Sequence, residues 1–196
     1  NSKPKSQHAD SMLLERFGPE DEKAPIRIAM AASDLGFVLL DTEGRLLAHH
    51  WVGHAQSLGA SRFRPDLPGR QFAVLNFWGN CGIVSLFDCE GNPLLIREPV
   101  EYPLARPVPV NWQGDGGALM LGGGALLNGH LEPVVALPGS GASKRIKPPA
   151  CDVNGDGIDE LVFQGPANTL QIYAPEFVPA DPYRFPQREL TNWNGY

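Results

Sequence analysis

The stretch from Asp152 to Phe163 carries the densest set of metal-binding residue types in the chain. Its sequence is DVNGDGIDELVF, in which Asp152, Asn154 and Asp156 alternate around two glycines. Hard cations such as Ca²⁺ take oxygen ligands, and a tight loop presents carboxylates and carbonyls at this spacing. Such an acidic loop is costly to fold unless a cation offsets the repulsion. The pattern predicts a calcium loop that opens a β-strand. A metal-free turn is the alternative, because Asn, Asp and Gly favour turns.

The last ligand position separates this loop from an EF-hand. An EF-hand places a bidentate Glu at position 12 and continues into a helix. Position 12 here is Phe163, and the apolar residues before it predict a strand that ends at the turn Gly165-Pro166. Glu160 stands at position 9, where that strand begins. The sequence therefore excludes an EF-hand.

The segment from Asp152 to Pro166, DVNGDGIDELVFQGP, resembles the FG-GAP repeat of integrin-type β-propellers. In that repeat a loop between two strands encloses calcium. The resemblance implies as ligands Asp152, Asn154, Asp156, the carbonyl of Ile158, and Glu160. Because integrin-type loops are filled where free calcium is high, we expect an extracytoplasmic or secreted protein.

The composition indicates one globular domain with a substantial core, since 42% of the 196 residues are hydrophobic. The 22 glycines and 19 prolines, together with short apolar runs, predict many turns and little helix. A net charge of −6 disfavours a broad surface for nucleic acid. No apolar run approaches the length of a membrane span.

Short strands and hairpin turns recur along the chain. The turn glycines Gly44, Gly91 and Gly129 are 47 and 38 residues apart, and Asn111 and Asp152, at the start of two similar loops, are 41 residues apart. Such a period, with about four strands per unit, is typical of propeller blades. The sequence predicts an all-β fold, a β-propeller of about four recognisable blades. These blades form either a small closed propeller or part of a larger one.

The chain divides into three predicted regions. Residues 1–24 are expected to form a linker or disordered N-terminal segment, with at most a helical turn around Met12. Residues 25–175 hold the blades, and residues 176–196 form a tail rich in proline and aromatic residues. A half-propeller would expose strand edges and an inner face, so association with a missing propeller half or with a second copy is expected.

A second resemblance covers roughly residues 50–175. The segments VGHAQSLGASRFRPDLPGRQFAV (residues 52–74) and GIVSLFDCEGNPLL (residues 82–95) resemble the bacterial rhamnogalacturonan lyases of polysaccharide lyase family 11. Those enzymes carry phrases of the kind GHGDAL, DFDPDRPGLEV and GLSLRDA in the same order. The resemblance implies an eight-bladed, calcium-rich propeller that cleaves the pectin backbone by β-elimination, and hence a pectin-like polysaccharide partner.

The chain departs from this family pattern at calcium positions. Arg62 and Arg64 stand where the family has Asp, while Asp66 is kept and Gln71 replaces a Glu. A guanidinium cannot ligate calcium, but it can pair with Asp66 in the cation's place. We expect this loop to be metal-free and held by arginine. The loop at Asn111 also lacks a ligand set, since Leu119 fills its position 9.

The residues that would contact a substrate are less well defined. Uronate β-elimination needs a base and a group that neutralises the carboxylate. His54 matches the histidine of the family phrase and is the candidate catalytic or ligand residue; the alternative is a structural histidine at a strand end. The candidates for substrate binding are Lys144, Arg145, Arg106 and Trp112. Their alternatives are a solvated basic loop and, for Trp112, a place in the core.

Two functions follow from these patterns. One is a calcium-stapled propeller that acts on or binds plant polysaccharide, with polysaccharide lyase as the enzyme class if it is catalytic. The other is a non-catalytic FG-GAP propeller that binds carbohydrate or protein and uses calcium only as a structural ion. The lost calcium ligands favour the second function, and the GHAQSL segment favours the first.

Overall fold

The structure is a computed structural model that describes residues 8–19, 23–79, 81–138, 150–164, 169–176 and 179–184. These residues form fifteen strands in four antiparallel sheets, each built from consecutive strands. The described part of the chain contains no helix, so none there is long and apolar enough to cross a membrane. The all-β prediction is confirmed.

Each sheet is formed by strands that are consecutive in the chain. The first sheet holds β1 (Ser11–Arg16), β2 (Ile26–Ala31), β3 (Phe37–Asp41) and β4 (Leu46–His50). The second holds β5 (Ala55–Ser61), β6 (Gln71–Asn76), β7 (Val84–Phe87) and β8 (Pro93–Arg97). The third holds β9 (Leu104–Val110), β10 (Leu119–Gly122), β11 (Ala125–Leu127) and β12 (Pro133–Ala136). The fourth holds β13 (Ala150–Cys151), β14 (Glu160–Gln164) and β15 (Leu170–Tyr173).

A separate apolar core lies between each sheet and the next. Strand β6 shows how the sequence builds two of them, because successive side chains of a strand point to opposite faces. Phe72 and Val74 belong to the core shared with the first sheet, whereas Ala73 and Leu75 belong to the core shared with the third. All six residues of β6 are therefore buried, which explains its nearly continuous apolar run. The four sheets are stacked in chain order.

Three hairpin turns with the same chemistry close the third and fourth strands of the first three sheets. In each turn one side-chain oxygen accepts hydrogen bonds from the backbone N–H groups two and four residues later. These side chains are Asp41, Asp88 and Asn128. The recurring turns at Gly44, Gly91 and Gly129 are thus confirmed as one repeated hairpin.

The expectation of a linker is wrong for part of residues 1–24. Ser11–Arg16 form β1, which pairs with β2 along its whole length, from Ser11 opposite Ala31 to Arg16 opposite Ile26. Leu13 packs against the first core. The consecutive apolar residues at 12–14 hide the period of two that would have indicated a strand.

The outward faces of the two terminal sheets are apolar. On the first sheet, Leu14, Ile28 and Leu40 lie opposite one another on neighbouring strands and share a face, as do Met12, Met30 and Val38. Leu14 is exposed, and so are Leu170 and Ile172 on the last sheet. The two faces therefore do not cover each other, and the described sheets form an open stack.

The first strands of successive sheets approach closely, since β5 contacts both β1 and β9, and β9 contacts β13. At Gly59 of β5 an added Cβ would overlap the carbonyl oxygen of Pro107 on β9. Only glycine leaves room for this approach.

Gly59→Ala should therefore lower the free energy of unfolding by about 1–3 kcal/mol, because the second and third sheets must move apart. Chemical denaturation followed by tryptophan fluorescence measures the change. Ser57→Ala, on the same strand, removes an atom instead of adding one and is the control. Equal stability of the two variants would contradict the close approach.

Candidate functional site

Three loops of similar sequence occupy the same place in consecutive sheets. Residues 62–70, 111–118 and 152–159 each join the first strand of a sheet to its second strand. The spacing of the Asn111 and Asp152 loops in the sequence therefore reflects a repeated structural position. The three loops differ in how they satisfy their polar groups, and this difference bears on metal binding.

The Asp152 loop is closed by its own side-chain oxygens. The two carboxylate oxygens of Asp152 accept the backbone N–H groups of Gly155 at 2.7 Å and Gly157 at 2.8 Å. The amide oxygen of Asn154 accepts the N–H of Asp156, at 2.9 Å. Asp156 in turn accepts the N–H of Ile158 at 3.0 Å. These three side chains thus close one tight turn by bonding to its backbone.

Glu160 completes this loop from the first position of β14, and it is only 3% exposed. Its two carboxylate oxygens accept the Val153 N–H at 2.8 Å and the Asn154 side-chain N–H at 2.9 Å. Within the described ranges no lysine or arginine pairs with Glu160. A buried carboxylate without a cationic partner is costly, because burial removes the water that would solvate its charge.

The electrostatics of the loop favour an added cation. Burial raises the pKa of the Asp159 carboxyl, with the Asp152 and Glu160 charges adding to the rise and the Asn111 N–H opposing it. The guanidinium of Arg184 lies 3.3 Å from Asp152. Even so, the loop holds more negative than positive charge.

The donor chemistry fits calcium, since carboxylate, amide and carbonyl oxygens are the ligands that this ion takes. Among the residues that the structure describes, however, no three His, Cys, Asp or Glu side chains are grouped so as to hold a metal ion. The loop oxygens face backbone N–H groups instead. The ligands that would hold calcium are the five implied by the sequence: Asp152, Asn154, Asp156, the Ile158 carbonyl and Glu160.

The loop at residues 62–70 is closed by an ion pair and by a neutral amide side chain. Arg64 donates two hydrogen bonds to Asp66, at 2.8 and 2.6 Å, which confirms the predicted arginine–aspartate pair. Gln71 begins β6 as Glu160 begins β14, and it is fully buried. Its amide oxygen accepts the Arg64 N–H at 2.8 Å, and its amide nitrogen donates to the Gly69 carbonyl at 3.1 Å. A neutral amide thus closes this loop without leaving a buried charge.

The loop at residues 111–118 is hydrogen-bonded to the neighbouring Asp152 loop. Its first residue, Asn111, donates its backbone N–H to Asp159 at 2.7 Å and its side-chain N–H to the Gly157 carbonyl at 2.9 Å. Asp115 accepts only a local N–H, from Gly117. Leu119 begins β10 and is buried, so no carboxylate stands where Glu160 stands.

His54 lies at the opposite end of the sheets, because it precedes β5 whereas the loop at residues 62–70 follows it. Its Nδ1 is 2.8 Å from the Asp34 carboxylate, and its Nε2 is 3.4 Å from Ser33 Oγ and 3.8 Å from the Asp10 carboxylate. The side chain is 12% exposed. Both ring nitrogens of His54 therefore face polar partners.

The partners of His54 were not predicted from the sequence. Ser33 and Asp34 lie in the turn between β2 and β3, and Asp10 stands at the start of β1. No spacing in the sequence links these residues to His54, because strand pairing brings them together. Ser33 has a positive φ of 53°, an uncommon conformation for a side-chain-bearing residue.

The structure describes two of the four residues predicted to bind substrate. Trp112 is buried in the third core, so its ring is not open to a sugar. Arg106 lies on β9 and is partly buried. Lys144 and Arg145 lie outside the described residues. Trp78, in contrast, is 66% exposed and follows β6 at the same end as His54, where the Phe77 N–H donates to the His54 carbonyl at 3.1 Å.

The fold is similar to that of solved rhamnogalacturonan lyases. The chain matches the exotype lyase YesX over 86% of its length, with 20% identity and a TM-score of 0.66. It matches a Bacillus licheniformis rhamnogalacturonan lyase, PL11, over 91% of its length, with 15% identity and a TM-score of 0.65. Rhamnogalacturonan lyase YesW matches over 84%, with 17% identity and a TM-score of 0.63.

This chain spans 31%, 30% and 28% of those three proteins, respectively. No protein-family model matches the sequence, and a search of curated protein sequences finds no significant match. At this level of identity the likeness shows the all-β fold that the chain shares with the three lyases.

The Arg64–Asp66 pair has a testable signature. Hydrogen bonding to Arg64 lowers the pKa of Asp66 below its usual 3.8. Because the folded-state pKa is depressed, the pair stabilises the fold above the unfolded pKa and is lost as the pH falls through the folded value. Arg64→Gln should return the Asp66 midpoint towards its usual value in a carboxyl NMR titration. Arg45→Gln is the matched control, since Arg45 pairs with Asp41. An Asp66 midpoint that Arg64→Gln leaves in place would contradict the pairing.

Proposed function

We propose that this chain is an arc of a larger β-propeller that acts on or binds a pectin-like polysaccharide, with calcium as a structural ion at the Asp152 loop. The observation that carries the proposal is the similarity of the four-sheet stack to three rhamnogalacturonan lyases, at TM-scores of 0.63 to 0.66. The segments around His54 and Gly82 that resemble this family lie in the second sheet.

The propeller geometry is supported by how the sheets meet. Consecutive four-stranded sheets stack face to face, and their first strands β1, β5, β9 and β13 contact one another in order. This is how blades surround a propeller axis. The exposed apolar faces of the first and last sheets favour an open arc over a closed four-bladed ring. Further blades, from a missing propeller half or a second copy, would cover those faces.

A carbohydrate surface is supported at the end that carries His54. The exposed ring of Trp78 packs edge-on against Phe77, with ring centroids 5.0 Å apart. Aromatic faces pack well on the C–H faces of sugars, because both are apolar and flat. The carboxylate of Asp34, which pairs with His54 and is 28% exposed, can accept hydrogen bonds from sugar hydroxyls. The calcium-type loops lie at the other end, so the ion has a structural role in this proposal.

The second candidate function is a non-catalytic carbohydrate-binding propeller. The environment of His54 favours it, because a general base needs a nitrogen that can reach the substrate proton. Here Nδ1 faces Asp34 and Nε2 faces Ser33 and Asp10, in a ring that is mostly buried. An imidazole held in this way positions the turn between β2 and β3 against the start of β5.

One experiment separates the two functions. The chain is incubated with rhamnogalacturonan and Ca²⁺, unsaturated uronate is followed by ultraviolet absorbance, and binding is measured by affinity electrophoresis in the same samples. Trp78→Ala should weaken binding about tenfold, because stacking on an exposed indole is lost. Leu46→Ala, an exposed apolar truncation in the hairpin at the opposite end, is the control and should bind normally.

The outcomes are distinct. Unsaturated product would establish a lyase. Binding without product would establish the non-catalytic function. Neither binding nor product would contradict the polysaccharide proposal altogether.

Calcium at the Asp152 loop would supply positive charge to a cluster of carboxylates that includes the buried Glu160. At a calcium concentration one hundred times Kd, the ion should stabilise the fold by about 2.7 kcal/mol. Asp156→Ala should lower the melting temperature in calcium and abolish the difference between calcium and EDTA. Asp66→Ala, in the arginine-held loop, should leave that difference intact. A melting temperature insensitive to both EDTA and Asp156→Ala would refute the calcium assignment.

A further inference from the structure

The tail crosses two of the repeated loops. We call residues 179–184 the tail strap. The Tyr183 N–H donates to the Gly114 carbonyl at 2.8 Å, and the Tyr183 carbonyl accepts the Asn111 side-chain N–H at 2.7 Å. Two hydrogen bonds of opposite direction therefore fix the strap to the loop at residues 111–118. The next residue, Arg184, reaches the neighbouring Asp152 loop.

Glycines make room for the tail strap. An added Cβ at Gly157 would lie 2.9 Å from both Pro182 Cγ and Arg184 Cζ, and one at Gly114 would lie 3.0 Å from Pro182 Cβ. Both glycines also have positive φ, at 94° and 67°. The glycines of the two loops thus let the loops turn and let the strap lie on them.

Arg184 brings its charge to the rim of the Asp152 loop. One guanidinium nitrogen lies 3.3 Å from Asp152 Oδ2, and another lies 3.2 Å from the Gly155 carbonyl oxygen. Both acceptors belong to the loop that we propose for calcium. Arg184 therefore neutralises part of the same negative charge that a divalent cation would neutralise.

We propose that Arg184 is an internal antagonist of calcium, so that docking of the tail strap and occupation of the Asp152 loop by a divalent cation disfavour each other. This inference rests on the proposed calcium site. Two positive groups that approach one carboxylate repel each other. Because such coupling is reciprocal, calcium also weakens the docking of the strap.

The comparison with Arg64 shows why Arg184 can be displaced. Arg64 holds Asp66 through two short bonds of 2.8 and 2.6 Å, and its side chain is 19% exposed. Arg184 makes one longer contact with Asp152, and its side chain is 60% exposed. An exposed single contact is weak and is screened by solvent. The second sheet thus carries a fixed arginine where the fourth carries an exchangeable one.

Calcium titration of Arg184→Gln by calorimetry tests the proposal. The variant should bind calcium about five times more tightly than the wild type, which is the lower end of typical coupling factors. Arg64→Gln removes an arginine from the other loop and should leave calcium affinity unchanged. In the wild-type chain, calcium should also speed the hydrogen exchange of the Tyr183 amide, because that N–H is bonded to Gly114 only while the strap is docked.

The possible results test the antagonism, its reciprocal effect and the calcium site separately. Unchanged or weaker calcium binding by Arg184→Gln, where the wild type binds, would overturn the antagonism. Tyr183 exchange that is insensitive to calcium would overturn the reciprocal effect. If neither protein binds calcium, both the antagonism and the calcium site fail. Faster Tyr183 exchange in Arg184→Gln with EDTA present would then show that Arg184 serves only to dock the strap.

Discussion

In the second, third and fourth sheets, the residue at the start of the second strand decides what its loop requires, because it is buried and a polar side chain there must be satisfied. Gln71 can both donate and accept, so it closes its loop with backbone groups alone. Glu160 can only accept when it is ionised, and its two bonds leave a buried negative charge. Leu119 has no polar side-chain group that needs a hydrogen-bond partner. One structural position thus gives a neutral loop, an acidic loop and an apolar loop in three consecutive sheets.

This constraint separates the two ends of the sheets. The loops at one end join first strands to second strands and bind neighbouring loops and the tail, as Asn111 does with Gly157 and Tyr183. The other end carries His54 with Asp34 and the exposed Trp78. The hydrogen bonds and the ion pair that close the loops lie at the first end. Residues at the second end can therefore change without disturbing how the loops are stabilised.

Much of this arrangement could be predicted from sequence, because hairpin turns and strand periodicity are local. The turn at Asp88 and Gly91 and the pairing of Arg64 with Asp66 depend on residues close together in the chain. The strand β1 was missed because its apolar residues are consecutive and its partner lies beyond a loop. The contacts of Arg184 and of His54 with Asp10 were missed because they join distant segments, and nothing in their spacing marks them.

The central proposal is that, of the three loops, only the Asp152 loop binds calcium, since only this loop buries a carboxylate that has no cationic partner among the described residues. The number of calcium ions bound per chain, measured by equilibrium dialysis at neutral pH, tests it most directly. The account predicts one ion per chain in the wild type and none in Glu160→Gln, which would copy the neutral closure seen at Gln71. Two or three ions per chain, or one ion that persists in Glu160→Gln, would contradict it.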